Sequence, residues 1–263
     1  IPDELAPRAE VRRQALANGT TQQGFVDHPT LSIPKPLFPD AFQFTEELGW
    51  IPEGWEVQKL GDFALNITDG THSTVKDNPE GECYLLSCKN IKNGQITIGS
   101  SERKINLETL NKLKKRTNLS KCDILLTTVG TVGETAMIRS EEIPYDFQRS
   151  VGIIKPNLEK NAPEYLYQMV KSERFLHEAL ARSEGSVQRC LFLGAIKSIE
   201  VIVPDQRALE HFEKLVREMY DRVETNVRTN ESLTKLRDTL LPKLISGELR
   251  ISDAEQLTEG ALT

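Results

Sequence analysis

The residues best suited to chemistry lie in the run TDGTHSTVK, residues 68–76. Asp69 and His72 stand three positions apart, and a histidine beside a carboxylate can act as an oriented general base. The same pair could supply half of a metal site, or the run could contact a polyanion through phosphate and base-edge hydrogen bonds. Hydrolysis would also need a nucleophile or a bound metal.

The sequence supplies no second cluster that would complete an active site. It contains no GxxxxGK[ST] phosphate loop, no GxGxxG after a strand, no HExxH and no GxSxG. The run TVGTVGE at 128–134 lacks the basic residue of a phosphate loop, so we interpret it as a tight turn between strands. We expect no catalytic residues and no bound methyl donor. At 68–76 we expect a turn in which Asp69 caps backbone N–H groups and Gly70 has a positive φ.

The cysteines and histidines do not favour a metal site. The four cysteines contain no CxxC pair, and the four histidines are scattered. No apolar run reaches 18 residues, and the first twenty residues are charged where a signal peptide would be apolar. We therefore expect reduced cysteines, no metal, no membrane association and a cytoplasmic location.

Positive charge is concentrated in one stretch of an acidic chain. The 263 residues have a formal net charge of −6, yet residues 89–121 hold nine basic side chains and two acidic ones. A basic face on an acidic protein is compatible with DNA binding. A solvated helix face near 107–116 would explain the same pattern.

The apolar spacing predicts an α+β fold. Helices are expected at 107–116 and 163–184, and a hairpin turn is expected at Asn93 and Gly94. The runs CDILLTTVGTVGETAMIR, SVGIIKP and SIEVIVP predict further strands. A short N-terminal helix at 4–17 and a proline-rich connector are expected to precede this domain.

A single long helix is predicted from 205 to 246, with Gly247 as its stop. An alternating spacing of three and four residues is typical of a coiled-coil seam. The seam positions are Leu209, Phe212, Val216, Met219, Val223, Asn226, Asn230, Leu233, Arg237, Leu240 and Leu244. A helix of roughly 60 Å, at 1.5 Å per residue, needs another long helix to bury its seam. The alternative is that the helix folds back on its own domain.

Six runs stand in a characteristic order. They are ELGWIPEGWEVQKLGDF (47–63), ITDGTH (67–72), YLLSCKNI (84–91), CDILLTTVGTVGETAMI (122–138), GSVQRCLFLGAIKSIEVIVP (185–204) and LTKLRDTLLPKLISGELRI (233–251). In this order they resemble the specificity subunit of type I restriction-modification enzymes. Each run is a weak signal alone, whereas the ordered set is specific.

The resemblance implies a domain organisation. A full subunit of that family has two target recognition domains, each followed by a long helix, and the two helices pair. This chain resembles one such repeat, either the C-terminal half of a longer subunit or a half-length form that dimerises. The expected parts are an N-terminal helix and linker (1–46), a target recognition domain (47–204), a long spacer helix (205–251) and a C-terminal tail (252–263).

The resemblance also implies partners and contacts. The chain would bind double-stranded DNA and methyltransferase subunits, and would join the restriction subunit through the complex. S-adenosylmethionine, ATP and Mg would be bound by those partner subunits and not by this chain. The expected DNA contacts are Thr68, Asp69, Gly70, Thr71, His72, Lys76, Lys89, Asn90, Lys92, Arg103, Lys104, Lys114, Lys115, Arg116, Gln188 and Arg189.

Two alternatives to DNA recognition stay open. The first is a truncated assembly or inhibitory half-subunit that captures partner subunits through its helix without productive DNA recognition. The second is a hydrolase that uses Asp69 and His72.

Overall fold

The structure is a computed structural model that describes residues 39, 41–160, 162–185 and 188–248. The predicted helix at 4–17, most of the proline-rich linker and the tail at 252–263 lie outside the described residues. The chain divides into two compact units, residues 1–214 and 215–263.

The first unit contains all of the strands that the structure describes. They are β1 (Phe42–Thr45), β2 (Gly49–Pro52), β3 (Glu56–Lys59), β4 (Asn66–Asp69), β5 (Cys83–Leu86), β6 (Ile91–Lys92), β7 (Gln95–Ile96), β8 (Lys104–Ile105), β9 (Ile124–Thr127), β10 (Thr135–Met137), β11 (Tyr145–Phe147), β12 (Val151–Lys155) and β13 (Glu200–Val203). The α-helices among the described residues are α1 (Leu60–Phe63), α2 (Leu107–Thr117), α3 (Pro163–Lys171), α4 (Glu173–Ala181), α5 (Leu193–Lys197) and α6 (Gln206–Ile245).

Two sheets form the centre of the first unit. One is antiparallel with strand order β10-β9-β12-β4, and the other has the order β11-β5-β8, in which β11 and β5 are parallel. Side chains from both sheets join one buried cluster that includes Leu86, Leu125, Phe147 and Ile153. Burying each such side chain stabilises the fold by about 1.5–3 kcal/mol. The predicted α+β class is confirmed.

Several local predictions are confirmed. The hairpin between β6 and β7 turns at Asn93 and Gly94, which have φ angles of 53° and 80°, as a type I′ turn requires. Helix α2 begins after Asn106, whose side chain accepts a hydrogen bond from Thr109 N at 2.8 Å. It ends at the left-handed Asn118, after a last turn rich in basic residues, which the helix dipole favours.

The predicted helix at 163–184 is wrong, because the structure has two helices there. Ser172 has φ −66° and ψ 148°, which is extended backbone and ends α3. The Ser172 hydroxyl oxygen then accepts a hydrogen bond from Phe175 N at 3.2 Å and so caps α4. The apolar spacing continues across Ser172, so the sequence pattern does not reveal the break between the two helices.

The boundaries of the first unit extend beyond 47–204. Strand pairing begins at Phe42 in β1. At the other end, the first turns of α6 pack within the unit: Leu209 is 2% exposed, and Glu213 Oε1 accepts a hydrogen bond from Tyr165 N at 2.7 Å. Leu209 is therefore not available to a partner helix, which corrects its assignment to the seam.

The second unit contains the remainder of α6, from Leu215 to Ile245. Gly247, with φ 75°, follows the helix as predicted. Three apolar seam side chains along this part are exposed, Met219 at 58%, Val223 at 53% and Leu233 at 43%, whereas Val216, Leu240 and Leu244 are half-buried. None of the helices within the described ranges combines the length and apolar character that a bilayer crossing requires.

Candidate nucleic-acid interface

The ends of several strands meet at one edge of the first unit. Strands β4, β5, β9 and β11 end there, and β12 begins there. The backbone links this edge directly, because Thr71 pairs with Gln148 and Val129 pairs with Cys190. We call this place the recognition edge and define it by residues 69–72, 87–89, 128–130, 148–150 and 188–190.

A three-residue turn between β11 and β12, residues 148–150, connects these segments. Gln148 N donates to Leu86 O at 2.8 Å, and Arg149 N donates to Thr71 O at 3.0 Å. Ser150 O accepts from Thr128 N at 2.9 Å, and the Ser150 hydroxyl oxygen accepts from Cys88 N at 3.1 Å. Side chains presented by this turn therefore stand on a backbone fixed by three neighbouring segments.

Asp69 joins the side chains of His72 and Arg116 at the recognition edge. His72 Nε2 lies 2.6 Å from Asp69 Oδ2, and the Arg116 guanidinium forms an ion pair with the same carboxylate. Arg116 Nε also donates to Asp69 O at 3.3 Å. The carboxylate is nearly buried, whereas the side chains of His72 and Arg116 are 55% and 50% exposed. Asp69 thus holds two exposed side chains in place at the edge.

Gly70 corrects the expectation for this loop. It does not have a positive φ, and Asp69 lies at the end of a strand rather than in a turn. Instead, a Cβ at residue 70 would lie 2.1 Å from Phe147 O and 2.4 Å from Gln148 O. Glycine is required by the close approach of two backbones.

The structure brings together about half of the predicted contact residues. The segment from Asp69 to His72, with Arg116, Lys89, Gln188 and Arg189, lies at or beside the recognition edge. Gly130 N donates to Arg189 O at 3.1 Å, which places the 188–190 segment against the 128–130 turn. Lys89 Nζ lies 3.1 Å from Glu102 Oε2. Arg189 donates to Leu180 O at 3.4 Å.

The other predicted contacts lie on separate features. Lys92 is in the β6–β7 hairpin and Lys104 is in β8, while Lys76 is exposed in the long loop after β4. The Arg103 guanidinium is bound by Asp77 and by Val75 O. The remaining residues, Thr68 inside β4 and Lys114 and Lys115 on α2, are not part of the edge segments.

Asn90 is removed from the set of contact residues. Its side chain is 2% exposed, accepts a hydrogen bond from Ser87 N at 2.9 Å and donates to Thr97 O at 2.9 Å. A buried amide that is bonded inside the protein is not accessible to a base. Its role is to shape the turn that carries Lys89.

Sequence reasoning missed Arg149, Ser150 and Thr128. Arg149 is exposed, and its guanidinium forms no hydrogen bond or ion pair with any residue that the structure describes. The signal was the polar run QRS, residues 148–150, immediately before the apolar strand β12. Turns that precede a strand commonly contain polar residues, so this run alone does not identify a DNA contact.

Two buried carboxylates of the first unit are structural. Asp146 is fully buried, and its carboxylate accepts hydrogen bonds from the Thr117 hydroxyl and Phe147 N, each at 2.7 Å. Burial raises the pKa of Asp146 despite these bonds. Asp123 pairs with Lys155 at 2.5 Å, and burial outweighs this pairing and raises the pKa of Asp123.

The edge has no arrangement typical of a hydrolase or a metal centre. In the described part of the chain, no serine or cysteine side chain hydrogen-bonds to His72, whose ring is bound by Asp69. Across the same residues, no three His, Cys, Asp or Glu side chains are grouped as metal ligands would be. The chemistry that the edge offers is hydrogen-bond donation from exposed, cationic or hydroxyl-bearing side chains.

Comparison with known proteins identifies the family of this chain. Residues 52–235 match the family described as "Type I restriction modification DNA specificity domain". The chain is 27% identical over 230 residues to the type I restriction enzyme MjaIX specificity subunit of Methanocaldococcus jannaschii, covering 83% of this chain and 50% of that one. It is 26% identical over 205 residues to the HindI specificity subunit of Haemophilus influenzae, covering 76% and 42%.

A solved structure shares the fold. The crystal structure of the S subunit of a type I restriction-modification system from M. genitalium matches with a TM-score of 0.52 and 16% identity, over 73% of this chain and 46% of that chain. The chain spans about half the length of the curated relatives it matches. The family match covers most of the sequence, and the chain belongs to the type I restriction modification DNA specificity domain family.

Proposed function

We propose that this chain is a non-catalytic specificity subunit that reads one half of a bipartite site in double-stranded DNA. The observation that carries the proposal is the recognition edge. There, His72 and Arg149 stand exposed on backbone segments that are fixed to one another, and the exposed Arg116 of α2 is bound to Asp69 beside them. Phosphate contacts would position the domain, and base contacts would select the sequence.

The net charge of −6 does not oppose this proposal. The nine basic residues at 89–121 include the exposed Lys115 and Arg116 on the last turn of α2. Arg116 links that helix turn to Asp69 at the edge. A local positive face beside the edge attracts phosphates while the remaining surface stays acidic.

The long helix is the proposed docking element. Helix α6 would bind methyltransferase subunits and bury its exposed seam against another long helix, in the same longer subunit or in a second copy. The restriction subunit would join through that complex in the cytoplasm. S-adenosylmethionine, ATP and Mg would belong to the partner subunits, where methyl transfer and cleavage take place.

The exposed seam also favours a second candidate, an assembly half-subunit that captures partners without productive DNA recognition. A His72→Ala, Arg116→Ala double variant separates the two proposals. The complex with the methyltransferase subunit is purified, and its affinity for duplex DNA is measured. Specific recognition predicts an affinity loss of at least tenfold with the complex intact. Unchanged affinity would favour the assembly role.

The same double variant tests the hydrolase alternative. If Asp69 and His72 act only in DNA binding, the double variant should lose DNA affinity and a modest amount of stability. Every other measured property should match the wild type. Loss of a hydrolytic activity of the purified chain on replacement of His72 would instead support catalysis.

A further inference from the structure

Arg149 at the recognition edge differs from three other arginines of the first unit, whose side chains already bind another residue. The Arg116 guanidinium is bound to Asp69, that of Arg103 to Asp77, and Arg189 donates to Leu180 O. The guanidinium of Arg149 forms no such bond with any described residue, although its side chain is exposed. All of its donors are available to a ligand.

The backbone of Arg149 is held on two sides. Its N–H donates to Thr71 O at 3.0 Å, after β4, and its carbonyl accepts from the Thr128 hydroxyl at 3.4 Å, after β9. Its two neighbours are also fixed: Gln148 N donates to Leu86 O, and Ser150 O accepts from Thr128 N. The point from which the Arg149 side chain leaves the backbone is therefore fixed, while its guanidinium stays free to meet a ligand.

We infer that Arg149 is the base-reading residue of this domain, and that it recognises guanine in the major groove. This inference rests on the proposed function. A free guanidinium offers two parallel N–H donors that match guanine O6 and N7, the commonest specific contact of arginine with DNA. Arg116 and His72, held by Asp69, are placed to contact the flanking phosphates instead.

The test is selection of binding sites from random duplex DNA by the complex of this chain with its methyltransferase subunit. Wild type, Arg149→Gln, Arg149→Lys and Lys115→Gln are compared. Arg149→Gln is expected to lose the preference for guanine at one position, with discrimination against the other bases falling about tenfold or more. Arg149→Lys keeps the charge but not the paired donors, so we expect it to retain only part of that preference.

The matched control, Lys115→Gln, removes the same charge from α2. We expect it to weaken binding to every sequence while the selected motif stays the same. If Arg149→Gln also leaves the motif unchanged, whether or not affinity falls, Arg149 does not read a base and the inference is wrong. If the wild-type complex itself selects no motif, the proposed function fails, and this inference with it.

Discussion

Asp69 and Arg116 are 47 positions apart in the chain, yet their side chains form an ion pair at the end of β4. The pair connects the four-stranded sheet to the C-terminal turn of α2, the helix with the highest density of basic residues. His72 binds the second oxygen of the same carboxylate. One nearly buried acid therefore sets the position of two exposed side chains.

Removing Arg116 should cost stability as well as DNA affinity. Arg116→Ala leaves the Asp69 carboxylate with His72 as its remaining side-chain partner, so we expect the free energy of unfolding to fall by about 1–2 kcal/mol. Urea denaturation measures this change. Lys115→Ala is the matched control, because its exposed side chain has no partner among the described residues. A change in the control as large as that in Arg116→Ala would contradict a specific role for the pair.

Gly70 should tolerate no side chain. Gly70→Ala places a Cβ against Phe147 O and Gln148 O, and the backbones must separate, so we expect a loss of about 3 kcal/mol or more, or failure to fold. Gly194→Ala in α5 is the control, because a Cβ there meets nothing within 4 Å. The control should be neutral or slightly stabilising. Equal melting temperatures for the two variants would disprove the close approach.

Lys115 should contribute to DNA affinity without contributing to selectivity. Its charge stands beside Arg116 on the last turn of α2, where we propose that it contacts a phosphate. We expect Lys115→Ala to weaken binding to all duplexes several-fold and to reduce the slope of log K against log salt by about 1. Lys59→Ala, on β3 in a different sheet, serves as the control. An unchanged salt slope would remove Lys115 from the interface.

The stability of the domain should depend on pH through Asp146. Burial raises the folded-state pKa of this carboxyl above the ordinary value of 3.8. The folded state therefore binds this proton more tightly than the unfolded state does, and the stabilisation is full below pH 3.8 and is lost as pH rises through the raised pKa. Asp146→Asn, which cannot ionise, should flatten this part of the profile of unfolding free energy against pH. An unaltered profile would show that Asp146 is not its source.

The exposed seam of α6 should determine association. Leu233→Asp introduces a charge where another helix would bury the leucine, and we expect the dissociation constant of the helix-mediated complex to rise at least tenfold. Ser232→Asp adds the same charge at the neighbouring position off the seam. Sedimentation and copurification with the methyltransferase subunit measure the effect. Weakening by Ser232→Asp alone would show that the seam is assigned incorrectly.

The elements that the sequence predicted correctly depend on local signals. Strands β9, β12 and β13 are apolar runs bounded by glycine or proline, and α2 has both its cap residue and its periodicity in one short stretch. The family resemblance is also confirmed. It rests on short runs in a fixed order, which can be read directly from the sequence. The sequence alone does not show that Ser172 caps a helix, because this role exists only where the backbone departs from helical geometry.

The recognition edge was harder to predict because distant strands assemble it. Asp69 and His72 were noticed by their spacing, but their partner Arg116 depends on where α2 packs. The sequence predicted a positive φ at Gly70. Glycine is needed there instead because Phe147 O approaches it from another strand. Arg149 gives no signal until β11 and β12 place its turn between Thr71 and Thr128.

The most direct test of the central claim is whether the complex of this chain with its methyltransferase subunit enriches a defined motif from random duplex DNA. The account predicts enrichment. A palindromic two-part motif would indicate two copies reading the same half-site, and a single short motif would indicate one domain of a longer subunit. No enrichment from a complex that has demonstrably formed would contradict sequence-specific DNA recognition by this chain.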